Sequence, residues 1–219
     1  MQPVVKAYPN RVSWVLAGNA LSDKYFLWLV VALLGLSAKI ACAATITYSA
    51  TLDGASESPS NASPGTGTAT VTFDTVLHTM SVQSNFSGLL GTVTAAHIHC
   101  CTATPGVGLA GVATTTPTFT GFPLGVTAGT YDHLFDLMLA SSWNAPFVTN
   151  NGGTPASAES VFLSGIASGE AYFNIHTAQF PGGEIRGFLA PAQVPEPATL
   201  TLIAISLLGF GALRRGKPA

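Results

Sequence analysis

The chain has 219 residues, a formal net charge of −2, and 47% hydrophobic against 8% charged side chains. That balance is too apolar for a disordered polymer. Between residues 44 and 191, Asp53, Glu57, Asp74, Asp132, Asp136, Glu159, Glu170 and Glu184 face a single base, Arg186, a formal balance of −7 that argues against nucleic acid as a partner.

The first element is a leader, residues 1–43. Lys6, Arg11 and Lys24 precede the uncharged run YFLWLVVALLGLS, Tyr25 to Ser37, and Ala41-Cys42-Ala43 supplies small residues for a signal peptidase. The run is short for a bilayer span and long enough for the core of a signal peptide. Cleavage near Ala43 or Ala44 removes Cys42 with the leader.

Residues 44–191 are long enough for one domain with its own core. Alternation predicts a succession of strands. In TATVTFD, Ala69, Val71 and Phe73 alternate with threonines, and MSVQSNF repeats the pattern with Met80, Val82 and Phe86. ATITYSATL, TVTAAHIH, YDHLFDLML, EAYFNIHT and EIRGFL are further strands, separated by glycine- and proline-bearing turns. One short helix interrupts them: Thr154 caps it, Pro155 takes the first turn, Val161, Phe162, Leu163 and Ile166 supply an apolar face, and Gly169 ends it. The expected fold class is all-β, an antiparallel Greek-key-like sandwich or barrel with one short helix.

AHIHCC, residues 96–101, carries the chemistry. His97 and His99 share a strand face ~6.6 Å apart, close enough to converge on one ion. His176 is the natural third ligand, with Cys100, Cys101 or a carboxylate completing a tetrahedral zinc or copper site. The other reading has these rings satisfying turns and backbone carbonyls at a strand end. Cys100 and Cys101 admit a vicinal disulfide forming a rigid turn, two thiolates on a metal, or bonds to other molecules; export favours the bridge. A trans peptide would hold their Cα atoms ~3.8 Å apart, short for a disulfide. Asp132 and Asp136 share a strand face, but no phosphate-binding loop, nucleophile elbow or H-E-x-x-H accompanies them.

In GEAYFNIHTAQFPGGEIRGFL, residues 169–189, Phe173, Ile175 and Thr177 take one face and Tyr172, Asn174 and His176 the other, before a Phe180-Pro181-Gly182-Gly183 turn. Arg186, as the domain's only base, calls for a carboxylate, and a Glu184–Arg186 ion pair locking the hairpin is expected, with Glu170 the other neighbour. Taken with AHIH, this block resembles the CHRD domain, named from chordin and common in secreted bacterial proteins. The resemblance implies an extracellular all-β module without a settled activity. Cys100 and Cys101 depart from the glycine-proline type of turn expected there. AHIH also has a distant resemblance to a copper-zinc superoxide dismutase motif, but that family's fuller histidine array is missing.

The last element, residues 192–219, has Pro195-Glu196-Pro197, an uncharged run at 198–213, and a basic tail at 214–219 with Arg214, Arg215 and Lys217. As a helix the run covers roughly 24 Å, and the basic tail places its end in the cytoplasm. These ordered features resemble the PEP-CTERM sorting signal, which implies exosortase recognition and delivery to the cell surface or extracellular matrix. The expectation is an exported, surface-sorted, non-catalytic binding or matrix component whose partner is an extracellular polysaccharide or surface protein. The rival is a copper- or zinc-dependent envelope oxidoreductase using His97, His99 and His176.

Overall fold

The computed structural model describes residues 45–192. The leader at 1–43, the Pro-Glu-Pro motif at 195–197, the apolar helix expected at 198–213 and the basic tail lie outside the described residues. Among the described residues, no helix is long and apolar enough to cross a membrane.

Seven of the strands are those expected from alternation: β1 (Thr45–Asp53), β2 (Thr66–Asp74), β3 (Thr79–Ser87), β4 (Val93–His99), β5 (Gly129–Asp136), β6 (Tyr172–Thr177) and β7 (Ile185–Phe188). A two-residue β8 (Ala190–Pro191) pairs with β1. The all-β antiparallel class is as expected, and the strands form one curled antiparallel sheet, a half-barrel in the order β4-β6-β7-β1-β2-β3-β5. The curl brings its two ends toward one core: the Phe119 ring lies 5.4 Å from Phe135 on β5 and 5.6 Å from Phe173 on β6. β5 ends the order as an edge strand, with Asp132, Leu134 and Asp136 exposed along it.

Helices cover the rest of the apolar side. A six-residue helix, α1 (Ala145–Asn150), precedes the expected one, α2 (Pro155–Ala167). α2 starts as its sequence dictates: Thr154 and Ser157 form a reciprocal capping box, and Pro155 stands in the first turn, where a missing N–H costs nothing. Gly169, at φ +73°, follows the helix in a conformation that favours glycine. Phe162 is fully buried, with ring centroids 5.9 Å from Phe73 on β2, 5.5 Å from Trp143 and 6.3 Å from Phe147. Val161, expected on the same apolar face, is exposed instead.

Register decides which side chains the site receives. The pairs His97↔Asn174 and Asn174↔Arg186, with His99↔Tyr172 and Tyr172↔Phe188, form two rows across β4, β6 and β7. Directly opposed residues share a face, so these rows lie away from Ala96, Ile98, Phe173, Ile175 and Ile185 of the core. Loop residues cover them: Arg186 donates to the carbonyls of Ser56 (2.5 Å) and Gly108 (3.0 Å). The back of this part of the sheet is therefore a second, polar interior.

Candidate metal centre

β4 delivers His97 and His99, and β6 delivers His176, to that polar interior. The ring centroids are 5.9 Å apart for His97–His99, 5.3 Å for His97–His176 and 5.6 Å for His99–His176. One nitrogen from each ring lies within 4.8 Å of the others. His97 and His99 are buried and His176 is partly so.

One nitrogen of each ring is held by backbone. His97 Nε2 meets the Pro117 carbonyl at 2.7 Å, His99 Nδ1 that of Ala110 at 2.9 Å, and His176 Nδ1 that of Pro181 at 3.0 Å. A carbonyl only accepts, so each of these nitrogens carries the hydrogen and, in a neutral ring, leaves a lone pair on the other. The lone pairs are then on His97 Nδ1, His99 Nε2 and His176 Nε2. His97 Nδ1 is buried without a hydrogen-bond partner. His99 Nε2 and His176 Nε2 face each other at 3.4 Å, two acceptors with no hydrogen between them.

Electrostatics keeps the rings neutral. Burial pushes His97 and His99 down to about 4, against the opposing pull of the Pro117 and Ala110 carbonyls and with further lowering from His176. His176 is also lowered by its burial, against the Pro181 carbonyl. Neutral imidazole is the form that binds metal. Two nitrogens bound to one ion at ~2.05 Å stand roughly 3.4 Å apart in a tetrahedron and roughly 3.6 Å in a triangle, so the 3.4 Å pair already has ligand spacing.

Aromatic and cationic groups back the site. The His99 ring stacks on Tyr172, 4.8 Å between centroids and 4° from parallel. The Arg186 guanidinium lies 4.7 Å from the Tyr172 ring centre. The Tyr172 hydroxyl accepts from Ala110 N at 3.2 Å, on the residue whose carbonyl holds His99.

The expected Glu184–Arg186 pair is corrected. Arg186 Nε stands 3.8 Å from Glu57 Oε2. Glu184 turns instead into a cage of four donors: Ser63 Oγ (2.6 Å), Thr177 Oγ1 (2.6 Å), Leu90 N (2.5 Å) and Gly91 N (3.0 Å). Burial raises Glu184, but these donors outweigh it and hold the carboxyl below its ordinary range. Glu184 precedes the first residue of β7, so the alternation that would put it beside Arg186 does not reach it.

Cys100 and Cys101 are joined as a vicinal disulfide across a cis peptide bond, Cα atoms 3.0 Å apart, where the sequence reading assumed a trans bond. Their sulfurs lie against Gly165 of α2, where an added Cβ would meet both. They do not join the three histidines: among the described residues the cluster holds no thiolate and no carboxylate. The bridge lines a cavity of about 370 Å³ with Val112, Asn144, Phe147 and Val161. Asp132 and Asp136 sit on the exposed β5 edge, where Asp132 accepts from Gln83 at 3.3 Å and Asp136 from Met138 N at 2.9 Å.

Sequence reasoning missed Tyr172, Glu57 and the three carbonyl positions. The signal for Tyr172 was its shared strand face with His176. The carbonyls leave none, because any residue can supply one.

The class defined by fold and site is a curled antiparallel β module with a polar, histidine-bearing back. The family model for the CHRD domain matches residues 48–189, and the chain belongs to that family. A second model, the PEP-CTERM protein-sorting motif, matches residues 193–215 and marks export, surface sorting and exosortase processing. No curated protein and no solved structure matches the chain.

Proposed function

We propose that the protein is a non-catalytic surface module that binds a transition-metal ion through His97, His99 and His176 and presents its β domain to an extracellular polysaccharide or surface protein. The observation that carries the metal reading is the convergence of three imidazoles, one nitrogen of each within 4.8 Å of the others, with each ring held by a backbone carbonyl. Such an arrangement is unfavourable empty and favourable around a cation, and backbone carbonyls are common partners of metal-bound histidines. The sorting motif supports the surface location, with the apolar run at 198–213 as a temporary membrane anchor and signal peptidase and exosortase as processing partners.

Metal analysis of the exported protein tests this reading. One ion per chain is expected in the wild type, with loss of that ion in His99→Ala. A wild-type protein that takes up no metal sinks the proposal, and metal-dependent substrate turnover abolished in the same variant replaces the binding role with an envelope oxidoreductase.

A further inference from the structure

Resting on the metal reading above, we infer that the three-histidine centre is a copper(I) site, selective for the monovalent ion over zinc(II) and copper(II).

The donor set is the first argument. All three ligands are neutral nitrogens, and among the described residues the cluster contains no carboxylate or thiolate to offset a second positive charge. All three rings are backed by backbone carbonyls rather than carboxylates, so none is pushed toward imidazolate.

Charge is the second. The Arg186 guanidinium lies 4.7 Å from the centre of the Tyr172 ring on which His99 stacks, a fixed positive charge near the site. Glu57 stands 3.8 Å from that guanidinium, on Arg186 rather than on the rings, and Glu184 is engaged by its four donors. Charging cost in a buried site grows with the square of the charge, so a divalent ion costs roughly four times what a monovalent ion does.

Coordination is the third. Zinc in a protein takes four ligands, and copper(II) prefers a tetragonal set. Copper(I) is satisfied by three nitrogens in a triangle, needing neither a fourth protein ligand nor a bound hydroxide. His97 and His99 are only 6% and 8% exposed, so the rings are presented to one another rather than to solvent. Closing the widest ligand pair from within 4.8 Å to roughly 3.6 Å is within reach of small ring rotations.

The test is an anaerobic titration of the exported protein with copper(I) in competition with bicinchoninate, beside zinc(II) and copper(II) titrations against nitrilotriacetate. Copper(I) should bind at one per chain and at least 100-fold more tightly than either divalent ion, with an X-ray absorption edge typical of three nitrogen ligands. His99→Ala and, at the more accessible position, His176→Gln should each weaken copper(I) binding at least 100-fold while keeping the wild-type β circular dichroism. Zinc(II) or copper(II) binding as tightly as copper(I), or a four-coordinate copper(I) spectrum, overturns the selectivity and leaves the metal site standing. Failure of all three ions to bind overturns both.

Discussion

Glu184 and the histidines are unusual in opposite ways, and both set how the protein responds to acid. Glu184 is fully buried with four donors on one carboxylate, so Glu184→Gln leaves donors facing an amide N–H₂. A loss of about 3 kcal/mol is expected, read as a lower urea midpoint. The three rings have lowered pKa values, so the unfolded chain binds protons that the folded one rejects. Their stabilisation is complete above pH 6.5 and is lost as pH falls toward 4, by up to about 3 kcal/mol each for His97 and His99. Glu57 runs the other way: burial raises it to about 7 despite Arg186 and the Ser58 amide, so its contribution fades as pH rises from 4.5 to 7. Three rings against one carboxyl leave a net loss on acidification. Metal-free protein should therefore unfold at lower urea at pH 5 than at pH 7, and Glu57→Gln should steepen the difference. A flat profile across that range would contradict the buried neutral rings.

At the level of elements, α2 and the Cys100–Cys101 turn are fitted to each other at Gly165. A methyl group there meets both sulfurs, whereas elsewhere in a helix alanine is preferred over glycine by about 1 kcal/mol. Gly165→Ala should cost about 1–3 kcal/mol in the wild type. With both cysteines changed to alanine, the same substitution should be neutral or stabilising. A double-mutant cycle on thermal unfolding measures the coupling, and additive effects would mean the helix does not bear on the turn. The elements themselves were largely legible. β2 and β3 alternate cleanly because one face meets the core and the other meets water, and α2 announces its start through Thr154 and Pro155. β8 and α1 have two and six residues, too few to display a period. The histidine pair was visible through its spacing, but the partners that orient the rings are main-chain atoms of Ala110, Pro117 and Pro181, which composition does not mark.

For the molecule as a whole, the chemistry is divided between two sides of one sheet. The side toward α2 is apolar and sets stability, with Phe162→Ala expected to cost about 3–5 kcal/mol. The other side, across β4, β6 and β7, is polar and holds the histidines, so substitutions there should alter metal uptake more than folding. Sequence alternation identifies both sides of a strand but not how the strands close, which is why sandwich and barrel were both expected where one curled half-barrel sheet stands. Sorting adds a prediction at the same scale. Intact-mass measurement of protein from its native host should find a C-terminus between Val194 and Pro197, and a product retaining Arg214 would contradict removal of the tail.

The open side of β5 has a consequence for life at high density. Copies sorted to one surface would each present to their neighbours a strand that, among the described residues, has no partner strand on its outer side. Asp132 and Asp136 are spaced along that strand with Leu134 exposed between them, so two β5 strands brought side by side would crowd four carboxylates around a small greasy contact. Mutual repulsion then keeps crowded copies as separate molecules rather than letting their sheets fuse into fibrils.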